Sequence, residues 1–196
     1  TPVKSAEHVR ESLRKFLGPN ITPKHVYTDN AKEYKAAMEL LGWTGLHDTS
    51  TPNRSQTNGV IERCNQRKEA GGSAVIVQSG LHPCWWPEAM ECFDFLHVVQ
   101  DIVKDNATPY QKRFNAPFDG PLLPFGCEIQ YKPSSSKGQA LLPKIGSSTL
   151  PGIFLGYTVK VGGQWSGDLY IIDKSDLAQA ELPVQIPRRR FKAAEV

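Results

Sequence analysis

A loss of helical period near residue 107 constrains this chain more than any other feature. Before it, apolar residues recur three and four positions apart over long stretches, interrupted by short β-type runs. Beyond it, Pro109, Pro117, Pro121, Pro124, Pro133 and Pro143 punctuate short segments and helical periodicity disappears, because each proline removes a backbone donor and clashes with the preceding turn. The 196 residues therefore read as an α/β part followed by an all-β part, with room for one large domain or two small ones. The expected division is a first domain over 1–106, a linker over 107–121 and a small β-barrel over 122–196. With 39% hydrophobic and 22% charged residues, the chain can bury a core and is not disordered as a whole.

In the first part Ser5 is placed as an N-cap, and Val9, Leu13, Phe16 and Leu17 form one apolar helical face that stops at Gly18-Pro19-Asn20. His25-Val26-Tyr27-Thr28 reads as a short buried strand. It ends at Asp29-Asn30, which is suited to cap a second helix carrying Tyr34, Met38 and Leu41 and closing at Gly42. Trp43 to Asp48 reads as another strand, so helix and strand alternate and acidic residues stand at strand ends. Residues 49–59 form a polar loop without an apolar anchor. A helix follows from about Val60 through Glu62, Asn65 and Lys68, and Gly71-Gly72, at about 1 kcal/mol per glycine relative to alanine, is expected to kink or break it. Trp86 to about Lys104 reads as a further helix, with Pro87 in its first turn and Ala89, Phe93, Leu96 and Val103 as its apolar stripe. Strands are expected at Cys127 to Tyr131, Gly152 to Val159, Asp168 to Ile172 and Leu182 to Phe191, a set that suggests a small barrel.

Several classes are excluded at once. No apolar run approaches the ~18–20 residues of a membrane span, and the longest uncharged stretch, Ala70 to Pro87, is broken by Gln78, His82 and two prolines; a membrane is not an expected partner. Thr1-Pro2-Val3-Lys4 carries neither a secretory pattern nor an initiator Met, which suits a piece of a longer polyprotein. Cys64, Cys84, Cys92 and Cys127 lack zinc-ligand spacing and the five histidines are dispersed, so reduced thiols are expected and a zinc finger is not. Net charge is +3, with the basic excess at the two ends and an acidic middle, a bias compatible with a polyanionic partner.

The chemistry concentrates in Tyr27-Thr28-Asp29-Asn30-Ala31-Lys32-Glu33-Tyr34 and in Thr51-Pro52-Asn53-Arg54-Ser55-Gln56-Thr57-Asn58-Gly59-Val60-Ile61-Glu62-Arg63. A carboxylate at a strand end and another in the first turn of a later helix can converge on one edge of a sheet. Hard oxygen ligands of that kind suit Mg²⁺ or Mn²⁺. The residues alone leave a second reading open, in which Asp29 caps a helix and Glu62 favours a helix N-terminus.

Both segments resemble the second and third acidic motifs of the DDE integrase core of retroviruses and copia-type retrotransposons. Trp86-Pro87-Glu88-Ala89, Thr108-Pro109-Tyr110, Phe125-Gly126-Cys127 and Gly152-Ile153-Phe154-Leu155-Gly156-Tyr157 are similar, in the same order, to further copia-type motifs. The resemblance spans roughly residues 25–172. It implies a fold class, α/β with a partial RNase H-like core followed by a small all-β SH3-like barrel. It also implies an activity, DNA integration by metal-dependent transesterification. With these come Mg²⁺ or Mn²⁺, DNA as partner, a nuclear location and compatibility with a homo-oligomer.

Carried over by residue, the resemblance makes Asp29 and Glu62 the second and third metal-binding carboxylates. Asn58 and Asn65 flank the start of the active-site helix, where their amides can position phosphate or a base edge, although Asn58 equally suits the turn before Gly59. Arg54, Arg63, Arg67 and Lys68 would contact the phosphate backbone. The departures are specific. The family's first aspartate, which bridges both metals, has no counterpart, since no Asp precedes Asp29 and Glu7 and Glu11 lie in the amphipathic helix. Ala31 replaces the motif glycine, and the Asp29 to Glu62 spacing is a few positions short. The polypeptide alone is therefore expected to be inactive as an enzyme. The alternative reading is an inactive, transposon-derived nucleic-acid-binding remnant or a protein-interaction module.

Overall fold

The computed structural model describes residues 5–19, 21–50, 59–180 and 186–196. They fall into two units, residues 1–66 with 159–164 and residues 67–158 with 165–196.

In the first unit, α1 (Ala6–Leu17) starts where the His8 N–H donates to Ser5 Oγ at 3.3 Å, the cap expected from sequence. It ends at Gly18, φ 72°, a backbone that non-glycine residues rarely adopt. The glycine has a second duty here. Its Cα edge lies against the Gly162 backbone, where a Cβ would meet Gly162 Cα at 2.8 Å, and the Gly162 N–H donates to Lys15 O at 2.8 Å. Of the apolar face, Phe16 stays 62% exposed. β1 (His25–Thr28) and β2 (Leu46–Thr49) pair in parallel, His25 opposite Leu46 and Thr28 opposite Thr49, with α2 (Lys32–Leu40) as the crossover between them. The expected strand from Trp43 thus begins three residues later, because Trp43 is used in closing α2, its N–H donating to Met38 O. Among the described residues of this unit the buried side chains are Ala37, Met38 and Ser50.

The second unit holds most of the core. α3 (Gly59–Ser79), which begins in the first unit, runs unbroken through Gly71 and Gly72, contrary to the expected kink. Both glycines are packing positions. A Cβ on Gly71 would fall inside the Phe93 ring, and one on Gly72 would press on Met90, so the lost propensity is offset by close approach of α4 (Trp86–Gln100). α4 stops at Asp101, whose backbone is extended, which leaves Val103 outside the helix and makes Ala89, Cys92 and Val99 its buried residues.

The prolines after residue 107 do not leave the chain unstructured. Thr108 caps α5 (Pro109–Phe114), and the Tyr157 hydroxyl donates to Pro121 O at 2.8 Å and accepts from the Leu123 N–H at 2.9 Å. β3 (Glu128–Tyr131), β4 (Leu150–Val159), β5 (Trp165–Asp173) and β6 (Arg189–Lys192) form one antiparallel sheet in that order. The short helices α6 (Ser136–Gln139) and α7 (Lys174–Gln179) lie in its connections. β4 buries seven successive residues, the mark of a strand covered on both faces. Phe154 and Leu155 lie in the same core as Ala89 and Cys92 of α4.

The closed barrel expected from sequence is not formed among the described residues, where the fold is mixed α/β with an open four-stranded sheet. β3 and β6 are the edge strands of this sheet, four residues each. The edges approach instead through Tyr131 and Phe191, ring centroids 4.4 Å apart, and a bond from the Lys132 N–H to Glu195 O at 2.8 Å. The last expected strand, from Leu182, is realised only as Arg189–Lys192, and residues 181–185 lie outside the described residues.

Candidate functional site

A strand alternates its side chains, so residues 27 and 29 share a face while 26 and 28 share the other. β1 applies this rule at its carboxyl end. Val26 and Thr28 are half-buried, and Tyr27 and Asp29 are exposed. Thr28 Oγ1 donates to Asp29 O at 2.8 Å and lies 2.9 Å from His47 Nε2. The strand ends there because Asp29 turns the chain. Its Oδ1 accepts from the Ala31 N–H at 3.2 Å, and Ala31, not Asp29 or Asn30, is the N-cap of α2.

The Ser50 N–H continues the ladder to Thr28 O at 2.9 Å, so both parallel strands finish on the same edge. The carboxyl edge of a parallel pair is where open α/β sheets present their ligand sites. Asp48, opposite Tyr27 in register, is engaged by His25 Nε2 at 2.9 Å.

Glu62 reaches this edge from the first turn of α3. Asp29 and Glu62, with Tyr27, Thr28, Tyr34 and Ile61, line one open cleft of about 300 Å³. Both carboxylates are exposed to solvent, and neither is tied to a basic side chain among the described residues. Their oxygens suit one hard divalent ion that keeps several of its waters. A closed protein cage is a different matter, since among the described residues no three His, Cys, Asp or Glu side chains gather to hold a metal. Tyr27, Tyr34 and Ile61 are lining residues that motif reading leaves unassigned. For Tyr27 the signal is present in the sequence, since it lies two positions before Asp29 on a strand.

The other expected contact residues distribute unevenly. Arg54 and Asn58 lie outside the described residues. Arg63 and Asn65 are exposed on α3 just after Glu62, and Arg63 Nε donates to Gly59 O at 3.1 Å. Arg67 and Lys68 belong to the second unit, where both are engaged with acids of α4 and its end. Lys68 pairs with Asp94, and Arg67 Nη2 lies 2.7 Å from Asp101 Oδ2 and 2.7 Å from His97 Nδ1. His97 Nδ1 is in turn 2.8 Å from Asp101 Oδ1. The hydrogen bond from His97, seconded by Arg67 and opposed by partial burial, holds the Asp101 carboxyl below its ordinary range.

The basic run Arg188, Arg189 and Arg190 is similarly occupied. Arg188 pairs with Glu88, Arg189 with Asp173 and Asp176, and Arg190 with Asp168. That run closes ion pairs within the second unit and does not form an unpaired basic patch.

No family model matches the chain. Among solved structures, it resembles a chain in the cryo-EM structure of the simian T-cell lymphotropic virus intasome in complex with PP2A regulatory subunit B56 gamma, with a TM-score of 0.44 and 14% identity. The match covers 96% of this chain and 62% of that one, so the chain spans less than two thirds of its neighbour's length. At that level the likeness assigns no family.

Proposed function

We propose that this chain is part of an integrase-like catalytic region of a copia-type retrotransposon, with Asp29 and Glu62 as two of its metal-binding carboxylates and DNA as its partner. One observation carries the reading. Two carboxylates from motifs far apart in sequence line the same cleft at the carboxyl edge of a parallel strand pair. Asp29 and Glu62 would hold Mg²⁺ or Mn²⁺, and ions bound there would supply activation of an attacking oxygen and stabilisation of a leaving oxygen in phosphodiester chemistry.

The chain's own residues do the positioning. The Ala31 N–H fixes Asp29, the first turn of α3 presents Glu62, and Arg63 and Asn65, exposed just after it, would contact a phosphate backbone, as would Arg54 and Asn58 by the sequence resemblance, outside the described residues. Arg67 and Lys68 would contact phosphate by exchanging acids for it, a change of partner that exposed ion pairs worth about 0–1 kcal/mol permit. The open face of β1–β2, where Tyr27 is 42% and Leu46 69% exposed, supports membership of a longer polyprotein, because parallel sheets are ordinarily covered on both faces. An SH3-like role for the β3–β6 sheet and a nuclear location belong to the same reading.

Within the 196 residues no Asp precedes Asp29, so the carboxylate that would bridge two ions is not supplied by this polypeptide. The reading therefore has a divided test. Residues 1–196 are expected to bind Mn²⁺ weakly, with Asp29→Asn and Glu62→Gln each abolishing it in electron paramagnetic resonance titrations. They are expected to bind duplex DNA with an affinity that falls steeply with salt, and to give no strand transfer with Mg²⁺ or Mn²⁺. Metal binding indifferent to both substitutions would sink the site. Robust strand transfer abolished by Glu62→Gln would overturn the missing-acid argument. DNA binding that is absent or independent of salt would favour the second reading, a protein-interaction module derived from the same kind of element.

A further inference from the structure

We propose that a pocket at the far ends of α1 and α2 is a binding site for a small planar organic anion, a single ring bearing a carboxylate on a short arm. The pocket holds about 260 Å³ and is formed entirely within the first unit by the last turn of α1, the segment at residues 21–22 and the turn at residues 41–44. It shares no lining residue with the Asp29–Glu62 cleft. Leu17, Ile21, Leu41 and the Trp43 indole form its apolar wall, and Thr22 and Thr44 add hydroxyls.

Three observations fix the ligand's chemistry. The first is Arg14, which lines the pocket and makes no ion pair or side-chain hydrogen bond among the described residues. Arg67, Arg188, Arg189 and Arg190 are held in ion pairs, whereas Arg63 bonds only a backbone carbonyl and Arg14 alone among the unpaired guanidinium groups lines this pocket. A guanidinium at an apolar wall matches a carboxylate through two parallel N–H donors.

The second concerns the helix ends. Helix C-termini attract cations through their free carbonyls, but here those carbonyls are largely engaged. Arg14 O accepts from Gly18, Lys15 O from Gly162, and Ala37 O, Met38 O and Glu39 O from Leu41, Trp43 and Gly42. What remains to offer is the cation. The third is size, since ligand pockets run roughly 300–1,000 Å³, and this one, at about 260 Å³, lies just below that range, suited to one ring system and not to a nucleotide.

The test is a ¹H–¹⁵N titration of residues 1–196 with three probes of one shape, indole-3-acetate, the neutral indole-3-ethanol and the cationic tryptamine. Saturable shifts are expected at Gly18, Gly42 and Thr44, with the acetate binding about tenfold more tightly than the alcohol and the amine weakest. Arg14→Gln is expected to bring the acetate down to the affinity of the alcohol while leaving the rest of the spectrum in place. Leu41→Trp, which fills the pocket, is expected to abolish binding of all three. The proposal is overturned if the amine binds as tightly as the acetate, if Arg14→Gln leaves the acetate unaffected, or if no saturable shift appears at these residues. None of these outcomes bears on metal binding by Asp29 and Glu62, so the two proposals fail separately.

Discussion

Replacing Gly71 by alanine separates a helix that is merely tolerated from one that is built around a glycine. In an exposed helix interior the change should stabilise by about 1 kcal/mol, the difference in propensity between the two residues. In this structure the added methyl group has no place, because the position of its Cβ is occupied by the Phe93 ring of α4. Phe93 is part of a packed layer, T-stacked on His97 at 4.3 Å, so the ring cannot swing away freely. Overpacking of this kind costs about 1–3 kcal/mol. The net expectation for Gly71→Ala is therefore a loss of about 1 kcal/mol, or a fall of roughly 2–4 °C in melting temperature for a chain of this size. Phe93→Ala empties the space, and in that background Gly71→Ala should recover the full propensity gain of about 1 kcal/mol. The sign of one substitution thus reverses with the other, a coupling of about 2 kcal/mol. Urea denaturation of the four proteins, followed by far-ultraviolet circular dichroism, measures it. If Gly71→Ala stabilises equally in both backgrounds, α3 does not pack on Phe93 and the break expected from the glycine pair is the better description.

Two further outcomes follow from the second unit. Burial pushes the Asp173 carboxyl up, with Asp176 adding to the rise and Arg189 opposing it. A raised carboxyl contributes stability at acid pH that is lost as pH rises through the folded value, and removing the opposing cation sharpens that loss. Arg189→Gln should therefore destabilise by about 2 kcal/mol at pH 7 and by clearly less near pH 4, measured as urea midpoints at the two values; equal losses at both would show that Arg189 acts through packing alone. Tyr157→Phe removes the hydroxyl that bonds Pro121 O and the Leu123 N–H, leaving two backbone groups without a partner. A loss of about 1–3 kcal/mol is expected, with faster proteolysis between residues 117 and 124, and unchanged cleavage there would show the segment held by other means.

Local chemistry was the legible part of this sequence. Ser5 caps α1, Gly18 ends it, and β1 to β5 lie within a few residues of their expected places, whereas α5, capped by Thr108, falls where helical period is expected to have ended. These signals act within four residues of the side chain that carries them. What escaped was decided at a distance. Gly71 and Gly72 read as helix breakers because propensity is a property of one chain segment, whereas their tolerance depends on Phe93 and Met90, which contact them from another helix. The barrel expected from sequence is not closed among the described residues, for a related reason. Strand content is local, but closure depends on residues far apart in sequence, and among the described residues Tyr131 and Phe191 bring the edges together without a ladder between them. At the candidate site the motif named Asp29 and Glu62 but not the aromatic lining beside them, although strand alternation already placed Tyr27 on the face of Asp29. For Arg67 and Lys68, the acids that hold them sit 34 and 26 positions downstream at Asp101 and Asp94, beyond the reach of any local pattern.

The placement of the site within a thinly packed unit has a thermodynamic consequence. The first unit buries Ala37, Met38 and Ser50 among its described residues, while the second buries three strands' worth of large apolar side chains, including Phe154, Leu169, Ile171 and Phe191. Apolar burial is the main favourable term in folding, so the first unit should open at the lower temperature and the chain should melt in two steps, not one. A ligand that binds only the folded first unit raises only the lower step. If Asp29 and Glu62 hold Mg²⁺ as proposed, the ion at ten times its dissociation constant should stabilise that unit by about 1.4 kcal/mol. Differential scanning calorimetry with and without Mg²⁺ should then move the lower transition upward and leave the upper one in place. Glu62→Gln, an exposed position in the first turn of α3, should abolish the shift without lowering either transition in the absence of the ion. A Mg²⁺ effect on both transitions, or one that survives Glu62→Gln, would mean that the ion acts through general charge screening and that the two carboxylates share a cleft without sharing a metal.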